Sequence, residues 1–406
     1  MLQKLIHRLL EHRHFWRIVD FDELAELYTT RLIRMLAMNL MSVFILVYLL
    51  QLGFSLTIVL VYGAAYAAVK VVLSIPSGHI VGRVGPKHAT FLSNIFHALS
   101  LLILVLIPTY GPGVLIVQAL IQAFAVTLYD ISFRVNFSKI KHVDHAGKEL
   151  GYMFIIEKIA TALSPVIGGA IATFFGAQWT LYVASALFVF SAIPLFFTPE
   201  PVRVHQRVRL TGMGLTSTWR GLLAEVAVGI DFSASNGLWS LFLALIVFVG
   251  SGNAVYVQVG AVTSITLLSG LIIARVYGML IDHRRGRELL LFGVIGNSLL
   301  HLVRPFIGTP SGAVVVNMTN EVFTTAYNLP FVKGTFDTAD SLPGYRIAYL
   351  TWMEITLSIG QAMTFVLALP FVQLLGAQDG LRWGYVLVAL LTLSIAYNGF
   401  RVLLRR

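Results

Sequence analysis

The chain has 406 residues, of which 57% are hydrophobic and only 12% charged, with no cysteine and a formal net charge of +10. A soluble domain runs nearer ~45–50% apolar and ~25% charged, so one water-soluble core is excluded. The lack of cysteine likewise excludes disulfides, thiolate metal sites, Fe–S clusters and cysteine nucleophiles.

Residues 1–27 set an apolar face (Leu2, Leu5, Ile6, Leu9, Leu10) beside basic neighbours, and His12, Arg13, His14 and Arg17 break any apolar run. That pattern predicts a cytoplasmic interfacial helix rather than a signal peptide. Beyond it, a bilayer crossing needs roughly 20 apolar residues. Breaks at Gly, Pro and charge clusters then predict an all-α integral membrane protein of twelve transmembrane helices. The first six span about 28–52, 55–82, 88–108, 113–140, 148–175 and 179–198. The second six span about 233–257, 261–282, 288–307, 312–333, 345–374 and 383–403. The expected domains are a bundle over 28–198, a polar linker over 199–232 and a second bundle over 233–406.

Most of the 29 Lys and Arg residues fall in the termini or in alternate loops, including Arg83/Lys87, Arg134 to Lys148, Arg203 to Arg220 and Arg284 to Arg287. The opposite loops carry only Asp379 and Arg382. By the positive-inside bias, both termini and the linker are expected in the cytoplasm, with the chain multi-pass in the cell membrane. The positive charge is thus a topology signal, and nucleic acid is not an expected partner.

The two halves repeat each other at an interval near 200 residues. Gly78-His-Ile-Val-Gly82-Arg83 matches Gly278-Met-Leu-Ile-Asp282-His283. Tyr129-Asp130-Ile-Ser-Phe133 matches Tyr327-Asn328-Leu-Pro-Phe331, and Tyr152-Met-Phe-Ile-Ile-Glu157 matches Tyr349-Leu-Thr-Trp-Met-Glu354. Three ordered matches at one interval are the mark of a duplication.

Two six-helix halves joined by a linker resemble the major facilitator superfamily of secondary transporters. Gly78, Gly82, Arg83, Gly85 and Lys87 resemble its signature between helices 2 and 3, with Gly82 where the family usually has Asp; the second copy keeps Asp282. Ser164-Pro165 with Gly168-Gly169 is similar to the family's antiporter motif in helix 5, with Ser replacing its first Gly. The Arg common in helix 4 of its proton-coupled drug exporters is missing, and Ala119 falls near that place. The resemblance implies two pseudo-symmetric six-helix bundles that rock about a central site, with these motif residues in gating roles.

Small residues recur every four positions along helix 5 (Ala160, Ser164, Gly168, Ala172, Gly176), a stripe that lets another backbone approach. By the resemblance, its expected partner is helix 8. Charges deep in a bilayer are costly unless paired, hydrated or protonated. The deep set is Lys70, Asp130, Glu157, Lys158, Arg275, Glu321 and Glu354. Ion pairs holding the halves in register are one reading of these residues, and proton coupling the other. Asp130 is the weaker proton carrier because Arg134 lies four residues on. Glu157, Glu321 and Glu354 are the expected coupling acids, since Glu321 and Glu354 have no basic neighbour one turn away. Tyr129/Tyr327 and Phe133/Phe331 occupy equivalent places near the pseudo-two-fold axis and are expected, with Asn39, to line a substrate cavity. Aromatic packing and interhelical hydrogen bonds are the plainer alternatives.

His142-Val-Asp144-His145 has metal-ligand spacing but is expected to be a solvated turn, so no metal and no cofactor is anticipated. No enzyme or nucleotide-binding motif is present, so no catalytic residue is expected. The expected function is proton-coupled export of a small amphiphilic molecule by a monomer in the lipid bilayer. The alternatives are an importer or facilitator of a polar solute or lysolipid, and a non-transporting scaffold or sensor of the same fold.

Overall fold

The computed structural model describes residues 21–41, 44–140, 158, 162–197, 199–200, 204–282 and 285–400. Among the described residues, twelve principal helices follow one another. In the first half these are α1 (Phe21–Met41, continued by Ile45–Gln51), α2 (Leu56–Val84), α3 (Pro86–Val105), α4 (Val114–Ile140), α5 (Ser164–Phe175) and α6 (Ala177–Ser191). The second half has α7 (Leu215–Ser233, running on to Val247), α8 (Ala254–Asp282), α9 (Gly286–Val303), α10 (Pro310–Asp340), α11 (Arg346–Leu375) and α12 (Ala377–Thr392). Among the described residues, nine helices are long and apolar enough to cross a membrane, and the apolar stretches of α5 and α8 are shorter. The protein is therefore a multi-pass membrane protein. α10 is as long as the others but carries Asn317, Asn320, Glu321 and Asn328, so its apolarity falls short. It can be this polar because most of those side chains turn toward other helices.

Local chemistry sets the breaks. Ser55 caps α2, its Oγ accepting the Ile58 N–H at 3.4 Å. Gly85, at φ +89°, ends α2, and Pro86 then starts α3, where no N–H is needed. Gly176 (φ +98°) and Gly376 (φ +84°) make the equivalent turns into α6 and α12, so the duplication preserves even its corners.

Several of the expected limits move: α8 begins at Ala254, α12 at Ala377, and α10 runs on to Asp340. The first helix already includes Phe21, ahead of the start expected near residue 28. More importantly, the linker expected over 199–232 ends at Gly214, because Leu215–Ser233 is helical and continues unbroken into the next span. Arg220, Glu225 and Asp231 made this stretch look like a polar connector. Glu225 and Asp231 are instead buried and bonded to other helices. α7 also widens to a π-helix over Ala234–Leu238 and again over Leu243–Val247, irregularities that often accompany functional positions.

The halves meet chiefly where α2 packs on α11 and where α5 packs on α8. The duplication makes α2 equivalent to α8 and α5 to α11, so this is one kind of contact used twice. Two hydrophobic clusters close the molecule at its ends. Away from the linker, Phe44, Trp239, Phe242, Tyr256 and Phe365 belong to one cluster, with Phe44 edge-on to Tyr256 across the halves at 5.8 Å. At the linker end, Tyr28, Val81, Phe137, Phe336 and Ile347 belong to the other, and the Phe137 and Phe336 rings lie 5.2 Å apart. Outward-facing Val72, Ile116, Phe174 and Leu374 are exposed, as a lipid-facing surface requires.

Candidate functional site

Each half holds a buried polar cluster between α1, α3, α4 and α6, or between their repeats α7, α9, α10 and α12. In the first half Arg34 donates to Asn94 Oδ1 and lies 3.4 Å from His97 Nδ1. Its guanidinium sits 3.6 Å above the Tyr129 ring and 5.0 Å from that of Phe188, and His97 stacks on Phe188 at 4.1 Å. Arg31 donates to the Tyr129 hydroxyl at 3.2 Å and covers the Phe133 ring at 3.8 Å.

In the second half the charge at the corresponding place is reversed. Asp231 accepts from Asn297 Nδ2 at 2.6 Å, from His301 Nε2 at 2.7 Å and from the Tyr327 hydroxyl. Arg304 Nη1 donates to His301 Nδ1 at 3.1 Å, and its Nη2 reaches Asn320 Oδ1 at 2.8 Å and Ser235 Oγ at 3.2 Å. A donor at Nδ1 makes that nitrogen an acceptor, so Nε2 carries the hydrogen given to Asp231. Arg304, His301 and Asp231 thus form one polarised chain inside the bundle. His301 stacks on Tyr385, as His97 does on Phe188. Arg34 and Asp231, Tyr129 and Tyr327, and Phe188 and Tyr385 are related by the interval of the repeat. The duplication kept the frame of this cluster and changed the sign at its centre.

Between the halves lies a second set of charges. Lys70 Nζ is 3.0 Å from Glu354 Oε1 and donates to Gln361 Oε1 at 3.0 Å, joining α2 to α11. Arg134 of α4 meets Glu225 of α7 at 2.9 Å and Glu354 at 3.8 Å. Lys158, ahead of α5, is 2.7 Å from Glu321 of α10, whose Oε1 also accepts from Thr325 at 3.0 Å. The expected coupling acids Glu354 and Glu321 therefore do have basic partners, supplied from other helices rather than from their own. Among the described residues, Arg134 is turned to Glu225 and Glu354 rather than paired with Asp130.

The remaining expected residues distribute as follows. Tyr129 and Tyr327 hold the two buried charges. Phe133 stacks between Tyr129 and Phe137, and Phe331 packs on Phe400 with ring centroids 5.0 Å apart. Asn39 spends its amide on its own helix, donating to the Met35 carbonyl at 2.9 Å. Glu157 and the 142–145 turn lie outside the described residues, as do residues 1–20 of the expected interfacial helix. Gly278, Arg275 and Asp282 fall in α8, but the side chains of the last two are outside the described set.

The motif glycines sit at close backbone approaches. A Cβ on Gly169 would press on the Tyr256 carbonyl of α8, and one on Gly260 on the Pro165 carbonyl. The Val166 N–H donates to Ser264 Oγ at 3.2 Å along the same seam. α5 does pack on α8, but not through the expected stripe. Gly168 of that stripe faces the Leu40 carbonyl of α1, one helical step around. The stripe therefore closes the first bundle internally, and the adjacent face with Pro165 and Gly169 meets the other half.

Gly78 approaches the Thr351 side chain of α11, and Gly82 lies beneath the linker. Gln206 N–H donates to the Gly82 carbonyl at 2.8 Å and His205 N–H to the Arg83 carbonyl at 3.0 Å, while a Cβ on Gly82 would run into Val208. Glycine stands there because the linker occupies the space a side chain would need. Across the seam, Trp352 Nε1 of α11 donates to the Leu210 carbonyl at 3.0 Å. At Gly85, Glu200 accepts from the Lys87 backbone N–H at 2.9 Å and so caps α3 from a distance. Burial holds that carboxyl above its ordinary value, against the bonds from Lys87 and His88 that lower it.

A sequence model of the Major Facilitator Superfamily matches residues 27–336. The chain belongs to the Major Facilitator Superfamily. Its fold is shared with the E. coli fucose:proton symporter (TM-score 0.65, 13% identity, 92% of this chain and 97% of that one). It is shared equally with a human organic anion transporter (TM-score 0.68, 12% identity, 91% and 99%). In sequence, 191 residues are 28% identical to the bicyclomycin resistance protein homolog of Haemophilus influenzae. That match covers 45% of this chain and 44% of the relative's length. As a superfamily member the protein is a transporter rather than an enzyme.

Residues that hydropathy passed over include Arg34, Glu225, Asp231 and Arg304. One signal was available: Asp231 falls one repeat interval after Arg34.

Proposed function

We propose that the protein is a proton-coupled secondary transporter that exports a small amphiphilic molecule across the cytoplasmic membrane by alternating access. In this reading it acts as a monomer with both termini and the linker in the cytoplasm. The observation that carries the proposal is Glu354. It is fully buried at the seam between the halves, tied to Lys70 at 3.0 Å and within 3.8 Å of Arg134, with Oε2 lacking a hydrogen bond. An ion pair in a low-dielectric seam is strong only while both members are charged. A proton on Glu354 removes the attraction that binds α2 to α11, which links protonation to separation of the halves. The partial likeness to a bicyclomycin resistance protein homolog supports export of a drug-like molecule.

The test is transport of a fluorescent amphiphilic drug into proteoliposomes with and without an imposed pH gradient. Glu354→Gln is expected to abolish acceleration by the gradient while substrate exchange at equal pH continues. Full acceleration in Glu354→Gln and in Glu321→Gln alike refutes the coupling role. Import of a polar solute is the second reading, favoured by the polar length of α10. It predicts that the drug is not moved and that a hydrophilic solute is.

A further inference from the structure

The ion pairs between the halves share a direction. Among the described residues, the pairs that bridge the two bundles are Lys70–Glu354 (3.0 Å), Arg134–Glu225 (2.9 Å), Arg134–Glu354 (3.8 Å) and Lys158–Glu321 (2.7 Å). In each, the cation belongs to the N-terminal bundle and the anion to the C-terminal bundle. Three separate helices of the first half (α2, α4 and the approach to α5) supply the positive charges. Three helices of the second (α7, α10 and α11) supply the negative ones. Asp130 is the exception in sign on the first face, and none of these bridging pairs includes it.

While the halves are together these charges satisfy one another. When they separate, one face is left with ammonium and guanidinium groups and the other with carboxylates, at a depth where water is a poor substitute. A molecule held between the faces must replace the missing partners. A singly charged molecule satisfies one face and is repelled by the other, and a neutral one leaves both uncompensated. We infer that the transported molecule is zwitterionic, with its anionic group against Lys70, Arg134 and Lys158 and its cationic group against Glu225, Glu321 and Glu354. This rests on the transport reading above and specifies the substrate class of the same site. A substrate carrying both charges also re-forms, through itself, the contacts that hold the halves together. Loading and closing are then one event.

The experiment uses the full-length protein purified in an uncharged maltoside detergent. Thermal unfolding is followed with four octyl probes below their micellar concentrations: octylphosphocholine, octyltrimethylammonium, octyl phosphate and octyl glucoside. The zwitterionic phosphocholine is expected to bind about tenfold more tightly than either singly charged probe, the scale of one charge-assisted contact. Lys70→Met is expected to erase the preference over octyltrimethylammonium, and Glu321→Gln the preference over octyl phosphate. The double variant Lys70→Met/Glu354→Gln removes a pair without orphaning a charge, so it is expected to fold and still lose affinity. Glycerophosphocholine, with the same headgroup and no tail, distinguishes the source. Binding equal to the octyl compound marks a soluble zwitterion, and binding only with the tail marks a membrane amphiphile. Equal binding of a singly charged probe overturns the inference, as does a zwitterion preference that survives all three variants. Flux of octylphosphocholine unaffected by a pH gradient overturns proton coupling while leaving the substrate class standing. Gradient-driven flux of a drug with which octylphosphocholine does not compete does the reverse.

Discussion

Replacing Lys70 by methionine keeps the length of the side chain and removes its charge from a site where both Lys70 and Glu354 are buried, at 3% and 0% side-chain exposure. At 3.0 Å and an effective dielectric of about 20, the lost Coulomb attraction is about 5 kcal/mol. Part of it is offset, because Lys70 no longer has to be desolvated. Glu354 also keeps Arg134 at 3.8 Å. Breaking a buried pair from one side usually costs about 3–5 kcal/mol, so about 3 kcal/mol is expected here. Glu354→Gln is milder, about 1–2 kcal/mol: Lys70 keeps Gln361 at 3.0 Å, and Arg134 keeps Glu225 at 2.9 Å. The double variant is expected to lose about 1–2 kcal/mol less than the sum of the singles, because the second change breaks a contact the first has already removed. Equilibrium unfolding in mixed maltoside and dodecyl sulfate micelles, followed by tryptophan fluorescence, measures all four corners of the cycle. Additivity to within about 0.5 kcal/mol, with each single variant below about 1 kcal/mol, would refute the view that this pair ties the halves together.

Gly82→Asp restores the acid usual in the superfamily but places a Cβ against Val208; the linker is expected to lift off α2, seen as faster tryptic cleavage at the exposed Arg207 and Arg209. Gly360→Ala drives a methyl into the Val226 carbonyl where α7 and α11 touch, so a loss of about 1–3 kcal/mol is expected in the same unfolding assay. Asp231→Asn removes the charged acceptor for Asn297, His301 and Tyr327, for an expected loss of about 2–3 kcal/mol; Ser235→Ala, at the edge of the cluster, should cost under about 1 kcal/mol.

Most of the fold was legible because lipid and repetition leave strong local marks. Gly85-Pro86, Gly176 and Gly376 announce their turns, and the matches between halves name the equivalent helices. The start of α7 was not legible for a physical reason. Glu225 and Asp231 read as polar in a hydropathy window, while Arg134 and His301, the partners that make them affordable in a membrane, lie far away along the chain. Glu321 and Glu354 failed in the same way, since a search of their own helix cannot find Lys158 or Lys70. The small-residue stripe of α5 was read correctly as a close-approach surface but assigned the wrong neighbour. Periodicity shows which face is smooth, not which of two adjacent helices lies against it.

The two seams that the duplication created are held by different forces. Near the linker and at mid-depth, α2, α4, α7 and α11 are joined by buried ion pairs. At the far end, α5 and α8 are joined by glycine-to-carbonyl contacts at Gly169 and Gly260. Under the proton-coupled reading proposed above, acidification is expected to act first on the seam that carries Glu354 and Glu225. A symmetric scaffold thus carries two chemically different seams, one of charged side chains and one of backbone held against backbone.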